Sequence, residues 1–282
     1  MTTHANELAV DVRGLRKQYG DVTAVDGIDL GIRRGEVFGL LGPNGAGKST
    51  TVEILQGNRG RDAGEVSVLG ADPATGTRAW RSRVGIVWQD ESAPAELTVD
   101  ETVRHFARYY PRPRDPEEVI GLVGLEAKAG SRIKALSGGQ RRRLDVALGV
   151  IGGPELLLLD EPTTGFDPAA RRQFWDLIRK LADEGTTILL TTHYLEEAEA
   201  LAHRLAVVAE GEPAALRERF GTEATVEWTE ADGTTRSERT DTPTRTVAEL
   251  TRRFDGEIPG LSVTRPTLED VYLRLTGQEN AR

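Results

Sequence analysis

The sequence predicts a layered α/β fold, on three observations. Short apolar segments recur at 37–41, 84–87, 156–159 and 187–192, each followed by a turn or a helix, which is how buried parallel strands read. Helical candidates stand between them at 48–56, 99–110, 116–123, 140–150, 169–184 and 195–202. The third observation is the run Gly42-Pro43-Asn44-Gly45-Ala46-Gly47-Lys48-Ser49-Thr50, which joins the first of these strands to the first of these helices. Alternating strands and helices of this kind pack as helices over a mostly parallel sheet.

Taken in order, each element carries a candidate group. The run from Gly42 matches G-x-x-x-x-G-K-[ST], a phosphate-binding loop common to kinases, GTPases and ATPases. At the opening of a helix its backbone N–H groups converge on phosphate oxygens, where the helix dipole also favours negative charge. Lys48 would reach the β- and γ-phosphates, and the Ser49 hydroxyl would ligate Mg²⁺. After the strand at 84–87 and Trp88 comes Gln89. From there to Leu136 the strand pattern vanishes, so a helical subdomain of about residues 90–140 is expected as an insertion in the core.

Leu136-Ser137-Gly138-Gly139-Gln140 then opens a helix expected from about Gln140, and its hydroxyl and amides form a second anion cradle. One nucleotide cannot easily use two cradles from one monomer. The apolar strand from Leu156 to Leu159 delivers Asp160 and Glu161 to its C-terminal edge, where open α/β sheets bind ligands. Asp160 is assigned to the Mg²⁺ shell with Ser49. Glu161 is assigned to orienting and deprotonating water, a role worth roughly 10²- to 10⁴-fold in rate. Gln89 and His193 each follow another strand, so the same edge brings an amide and an imidazole toward the γ-phosphate.

Composition narrows the class. The 282 residues suffice for one large domain and a small one, and a boundary is expected between 1–215 and 216–282. Past Ala209-Glu210-Gly211-Glu212-Pro213, which reads as a shortened hairpin, the small domain offers strands at 224–229 and 234–240 around Ala231-Asp232-Gly233. It closes with an amphipathic helix capped by Thr267 and Gly277. Apolar runs fall far short of the roughly 20 residues that cross a bilayer, and the first seven residues have no secretory character, so a cytoplasmic address is expected. The absence of cysteine excludes disulfides and thiolate-bound zinc. A formal charge of -9 opposes broad nucleic-acid binding. Arg141-Arg142-Arg143 and Arg171-Arg172 are read as solvated helix faces, and His4, His105 and His203 as incidental.

The phosphate loop, the Leu136 to Gln140 segment and the Leu156 to Glu161 segment, in that order, resemble the nucleotide-binding subunit of an ABC transporter from about Leu8 to about Leu205. The resemblance implies an ABC-type P-loop NTPase core with an inserted helical subdomain and a small α+β C-terminal domain. It implies ATP and Mg²⁺ as cofactors, and a homodimer or pseudo-dimer in which Ser137, Gly138, Gly139 and Gln140 close on the partner's ATP. Asp167 of Thr164-Gly165-Phe166-Asp167 would couple the sites, with Phe166 where the family usually has leucine. Gln89, also near the metal, corresponds to the Q-loop, and His193 of Thr191-Thr192-His193-Tyr194-Leu195-Glu196-Glu197-Ala198 to the H-switch. Tyr19 stands where the family stacks an aromatic on adenine, worth roughly 1 to 3 kcal/mol.

The helical insert would face an integral-membrane permease, holding the ATPase at the inner face of the membrane. Arg265-Pro266-Thr267-Leu268-Glu269-Asp270-Val271-Tyr272-Leu273 resembles the tail of daunorubicin-resistance exporters, implying an ABC-2 type permease and a drug or lipid-like cargo. Rival readings are a regulatory ATPase gating a membrane protein, or a soluble one in translation or repair. One cassette, no cysteine and no extended heptad run disfavour the latter.

Overall fold

The computed structural model describes residues 8–42, 45–88, 96–206, 210–211, 224–230, 232–254 and 256–264. Pro43, Asn44, Gln89, much of the shortened hairpin, Ala231, the 265–273 tail and the 267–277 helix lie outside the described residues. The chain divides into two compact units, Met1–Ala206 and Val207–Arg282.

A parallel sheet forms the centre of the first unit. Its strands are β3 (Val37–Leu41), β5 (Val84–Val87), β6 (Leu156–Asp160), β7 (Thr187–Thr192) and β8 (Arg204–Ala206), side by side in the order β5-β6-β7-β3-β8. The four apolar runs singled out in the sequence are four of these strands. Every residue of β6 and β7 is buried, which is why they read as continuous apolar runs. In β6, Leu157 and Leu159 join one core with Leu144, Phe174 and Ile178, whereas Leu156 and Leu158 join another with Val10, Val12, Leu15 and Phe38.

The second of those cores belongs to a three-stranded antiparallel sheet, ordered β2-β1-β4, that the apolar-run pattern does not predict. Its strands are β1 (Leu8–Tyr19), β2 (Val22–Arg33) and β4 (Ala63–Val68). The register of β1 against β2 shifts at four places, so its inward residues Ala9, Val10, Val12 and Leu15 keep no strict period of two.

Helices α1 (Lys48–Leu55), α2 (Arg78–Arg81), α3 (Val99–Ala107), α4 (Pro116–Leu122), α5 (Gly138–Val150), α6 (Pro168–Asp183) and α7 (Leu195–Leu201) complete the first unit. Between β5 and α5 the described residues hold helices, joined by a single isolated bridge from Thr98 to Arg132. A reciprocal cap between Thr98 and Glu101 starts α3, whose Val99, Val103 and Ala107 pack with Val119 and Ile120 of α4. α5 begins at Gly138, two residues before the predicted start, because Ser137 is the N-cap and Gln140 the third helical residue.

The second unit contains β9 (Glu210–Gly211), β10 (Ala224–Thr229), β11 (Thr235–Thr240), α8 (Pro243–Arg253) and β12 (Ser262–Thr264). β10 pairs antiparallel with both β11 and β12, and Leu250 of α8 packs with Val226, Trp228 and Ile258.

One ion-pair group ties the first unit together away from its phosphate loop. Glu155, just before β6, accepts from Arg34 at 2.7 Å and from two nitrogens of Arg83. The Arg83 guanidinium, helped by Arg34 and opposed by desolvation, draws the carboxyl from an ordinary 4.5 down to about 2. A depressed carboxylate stabilises the fold above its unfolded value and loses that contribution as pH falls through its folded one. Because Glu155 is partly exposed, Glu155→Gln is expected to lower stability near pH 7 by at most about 1 kcal/mol. In denaturant titrations at decreasing pH the difference should close between about 4.5 and about 2.

Candidate functional site

The phosphate loop leaves the buried strand β3 at Gly42, whose N–H donates to the Thr192 carbonyl at 3.4 Å. Gly45 and Gly47 adopt left-handed backbone, with φ of 84° and 83°. At Gly47 the requirement is also steric, since a Cβ would lie 2.1 Å from the Ala24 carbonyl oxygen. The loop turns into α1 at Lys48, whose ammonium folds back to donate to the Gly42 carbonyl at 2.8 Å.

β6 brings two carboxylates to this loop. Asp160 accepts from the Thr191 hydroxyl at 2.5 Å and from the Ser49 hydroxyl at 3.3 Å. The same Thr191 oxygen accepts the Glu161 N–H at 3.0 Å, so one β7 side chain holds both acidic residues. Glu161 lies 3.1 Å from Lys48 through Oε1 and 3.1 Å from His193 Nδ1 through Oε2. The Lys48 and Glu161 side chains are only 5% and 9% exposed, and a buried pair of this kind persists because each charge answers the other. Glu161 also holds φ at 44°, a left-handed conformation that costs a non-glycine residue roughly 1–3 kcal/mol. The His193 ring packs on Tyr194 at 4.0 Å, and the Arg171 guanidinium covers the Tyr194 ring at 4.5 Å.

The structure therefore brings Lys48, Ser49, Asp160, Glu161 and His193 into one cluster. Ser49 and Asp160 present adjoining oxygens, the hard donor type that Mg²⁺ prefers with few protein ligands, so the pair fits that ion. The glycine loop at a helix N-terminus, with Lys48 inside it, fits a polyphosphate. Thr50 follows as the third residue of α1.

The second cradle lines a separate cleft of about 810 Å³. Ser137 to Gln140 and Asp167 border it together with Glu161, and among the described residues none of its lining comes from the loop at 42–49. Ser137 Oγ accepts the Gln140 N–H while the Gln140 side chain accepts the Ser137 N–H. The Gln140 amide oxygen thus caps a helix, a role its assignment to nucleotide did not include. Asp167 similarly caps α6, accepting from Ala169 and Ala170 at 2.8 Å each. Phe166 packs edge-on against Phe174 at 5.8 Å, which ties that turn to the core. Tyr19 is 40% exposed at the end of β1, with Lys17 and Arg59 near its ring, which is a platform rather than a core position.

Two expectations about charge need correction. Arg142 is not on a solvated face: it is 8% exposed and donates to the Pro162 carbonyl at 2.9 Å, the Asp160 carbonyl at 3.1 Å and the Trp88 carbonyl. Burial lowers its affinity for the proton, opposed by Asp145, Asp160 and Glu197. Arg171 is likewise drawn onto Tyr194. Helical spacing carried a signal for Arg142, which shares a face with the buried Val146 and Gly149. His203 is also more than incidental, because its Nδ1 accepts the Val37 N–H at 2.9 Å at the start of β3.

Glu197 of α7, which the sequence reading included in the pattern around His193 but gave no role of its own, is fully buried. Burial raises its carboxyl above the ordinary value, opposed by the neighbouring Thr192, Thr163 and Trp175 side chains and by the charge of Arg171, although neither carboxylate oxygen reaches hydrogen-bond geometry.

The family profile described as ABC transporter matches residues 25–164, and one described as AAA domain, putative AbiEii toxin, Type IV TA system matches 132–197. A Nod factor export ATP-binding protein I of Ralstonia nicotianae is 41% identical, covering 96% of this chain and 94% of its own length. The protein of the same name in a Rhizobium species is 40% identical, covering 97% and 99%. Among solved structures, cbiO1 from Clostridium perfringens, part of the ABC transporter complex cbiONQ, superposes with a TM-score of 0.68 at 27% identity, over 75% of this chain and 91% of its own.

A carboxyl raised by burial favours the folded state while protonated and loses that advantage as pH rises through its folded value. Glu197→Gln, which keeps the shape without the charge, should match the wild type in acid and exceed it in alkali. A gain on the order of 1 kcal/mol, or about 2–4 °C in Tm, is expected in thermal melts on the alkaline side of its raised titration.

Proposed function

We propose that this chain, which belongs to the ABC transporter ATP-binding family, is the ATP-hydrolysing subunit that powers a separate integral-membrane permease. The observation that carries the proposal is Glu161 held between Lys48 and His193, one residue from an Asp160 that adjoins Ser49.

In this reading the loop amides, with Pro43 and Asn44 completing the run, bind the phosphates of ATP, and Lys48 turns its ammonium to the β- and γ-oxygens. Ser49 and Asp160, with Gln89, would hold Mg²⁺, which when bound neutralises charge on those phosphates. A phosphate in the loop competes with Glu161 for Lys48 and leaves the carboxylate able to orient a water and accept its proton. His193, already 3.1 Å from that carboxylate, steadies it and donates toward the γ-phosphate. Tyr19 offers its exposed ring to the adenine.

Two cradles on one chain favour a two-fold dimer in which Ser137, Gly138 and Gly139 of each copy close on the nucleotide of the other. Asp167, at the turn between the cleft and α6, would pass the state of one site to the other.

For the permease contact, a second cleft of the first unit supports the reading. It measures about 650 Å³ and is lined by Tyr109, Tyr110 and Pro111 with Arg78, Arg81 and Arg108. Tyr109 is 57% exposed there, an aromatic left open to a partner. No helix among the described residues is long and apolar enough to cross a membrane, and in this reading the permease supplies the pore. The relatives named for export favour outward movement, and the 265–273 tail favours an ABC-2 type permease with a drug or lipid-like cargo.

Glu161→Gln is expected to bind ATP, lose turnover by roughly 10²-fold or more, and accumulate as an ATP-loaded dimer in light scattering. Near-normal phosphate release by the purified variant removes Glu161 from the role of base. Ser137→Arg should stop turnover while monomer nucleotide binding, followed by a fluorescent ATP analogue, stays intact. Loss of binding in the monomer overturns the assignment across the interface.

A further inference from the structure

Glu161 departs from the rule for side-chain-bearing residues, since its φ of 44° lies in the left-handed region. A conformation of this kind persists only where surrounding bonds over-determine it. From the amide side, the Glu161 N–H is held by Thr191. One group holds the carbonyls of both neighbouring residues: Arg142 donates to that of Asp160 at 3.1 Å and to that of Pro162 at 2.9 Å. A third bond from the same guanidinium reaches the Trp88 carbonyl, at the end of β5 and one residue before Gln89.

We propose that Arg142 is a positioning residue for ATP hydrolysis, a clamp that keeps the Glu161 backbone in its left-handed conformation and joins it to the β5 edge. The proposal rests on the ATPase reading above. The planar guanidinium suits the task, because its donors diverge in a fixed fork and can serve three carbonyls at once, which a lysine ammonium cannot do at the same reach. Asp145, one turn along α5 at 3.9 Å, supplies countercharge to the largely buried guanidinium, at the wall of the cleft that the Ser137 cradle lines. The clamp stands on the helix whose N-terminus is the Ser137 cradle, so α5 cannot shift without moving the base.

The test compares Arg142→Lys and Arg142→Gln with the wild type in steady-state ATPase assays, alongside thermal melts that select folded protein. Loosening the base without disturbing the phosphate loop should lower kcat on the order of 10²-fold in Arg142→Gln and less in Arg142→Lys. KM for ATP should stay within about two-fold, since uniform binding is untouched. In a Glu161→Gln background, Arg142→Lys should leave the ATP-loaded dimer as abundant as Glu161→Gln alone, because the clamp serves the base and not the cradle.

Wild-type kcat in both variants overturns the clamp. So does a raised KM with unchanged kcat, or a double variant that no longer dimerises, either of which assigns Arg142 to nucleotide binding. The two readings fail separately: turnover that survives Glu161→Gln defeats the ATPase assignment, whereas turnover lost in Glu161→Gln and kept at the wild-type level in both Arg142 variants defeats the clamp alone.

Discussion

The pairing register of three buried strands governs everything at the phosphate loop. β3 pairs with β7 so that Leu41 stands beside Thr192, and β6 pairs with β7 so that Asp160 stands beside Thr191. Those pairs set Gly42, Glu161 and His193 as neighbouring residues just past the sheet edge. A slip of one residue in any of the three would turn alternate side chains to the opposite face and separate the loop from its acids. The register is held by burial: Leu157 and Leu159 suit the helical core, and Leu156 and Leu158 suit the core under the antiparallel sheet.

Two buried polar side chains inside this frame, Thr191 and Arg142, are matched by hydrogen bonds that bear on the site. Thr191 occupies a fully buried position of β7, yet its hydroxyl donates to Asp160 and accepts from Glu161, so the cost of burying it is offset by bonds to charged or strained neighbours. Arg142 does the same with carbonyls instead of a carboxylate partner at close range. A cation whose bonds go to backbone leaves the acids beside it available for chemistry. The capping boxes at Thr98 and Ser137 follow a related economy, using side chains within three residues to satisfy the N-termini of α3 and α5.

Much of the site was legible in the order of residues because it is built from local patterns. The loop from Gly42, the acids after Leu159 and the histidine after Thr192 all depend on a strand ending and a loop or helix beginning, which apolar runs and glycines announce. The antiparallel sheet was not legible, since the irregular register of β1 hides its alternation. Arg142 was misread because three consecutive arginines look alike in composition, and only the turn of α5 decides that the middle one faces Pro162 and Asp160. Glu197 escaped for a similar reason, being one of several acids on a short helix and the one turned inward.

By itself the sequence determined the chemistry available at each strand end: a glycine loop with lysine and serine, paired carboxylates, an imidazole and a second serine-glycine cradle. Those choices are local, set by backbone freedom, side-chain type and distance along the chain. Tertiary structure alone decided which of these groups meet, that Glu161 adopts a left-handed backbone between Lys48 and His193, and that Arg142 spans the ends of two strands. The reason is that such contacts join residues separated by tens to more than a hundred positions, and their geometry exists only once the sheet register and the packing of α5 against it are in place.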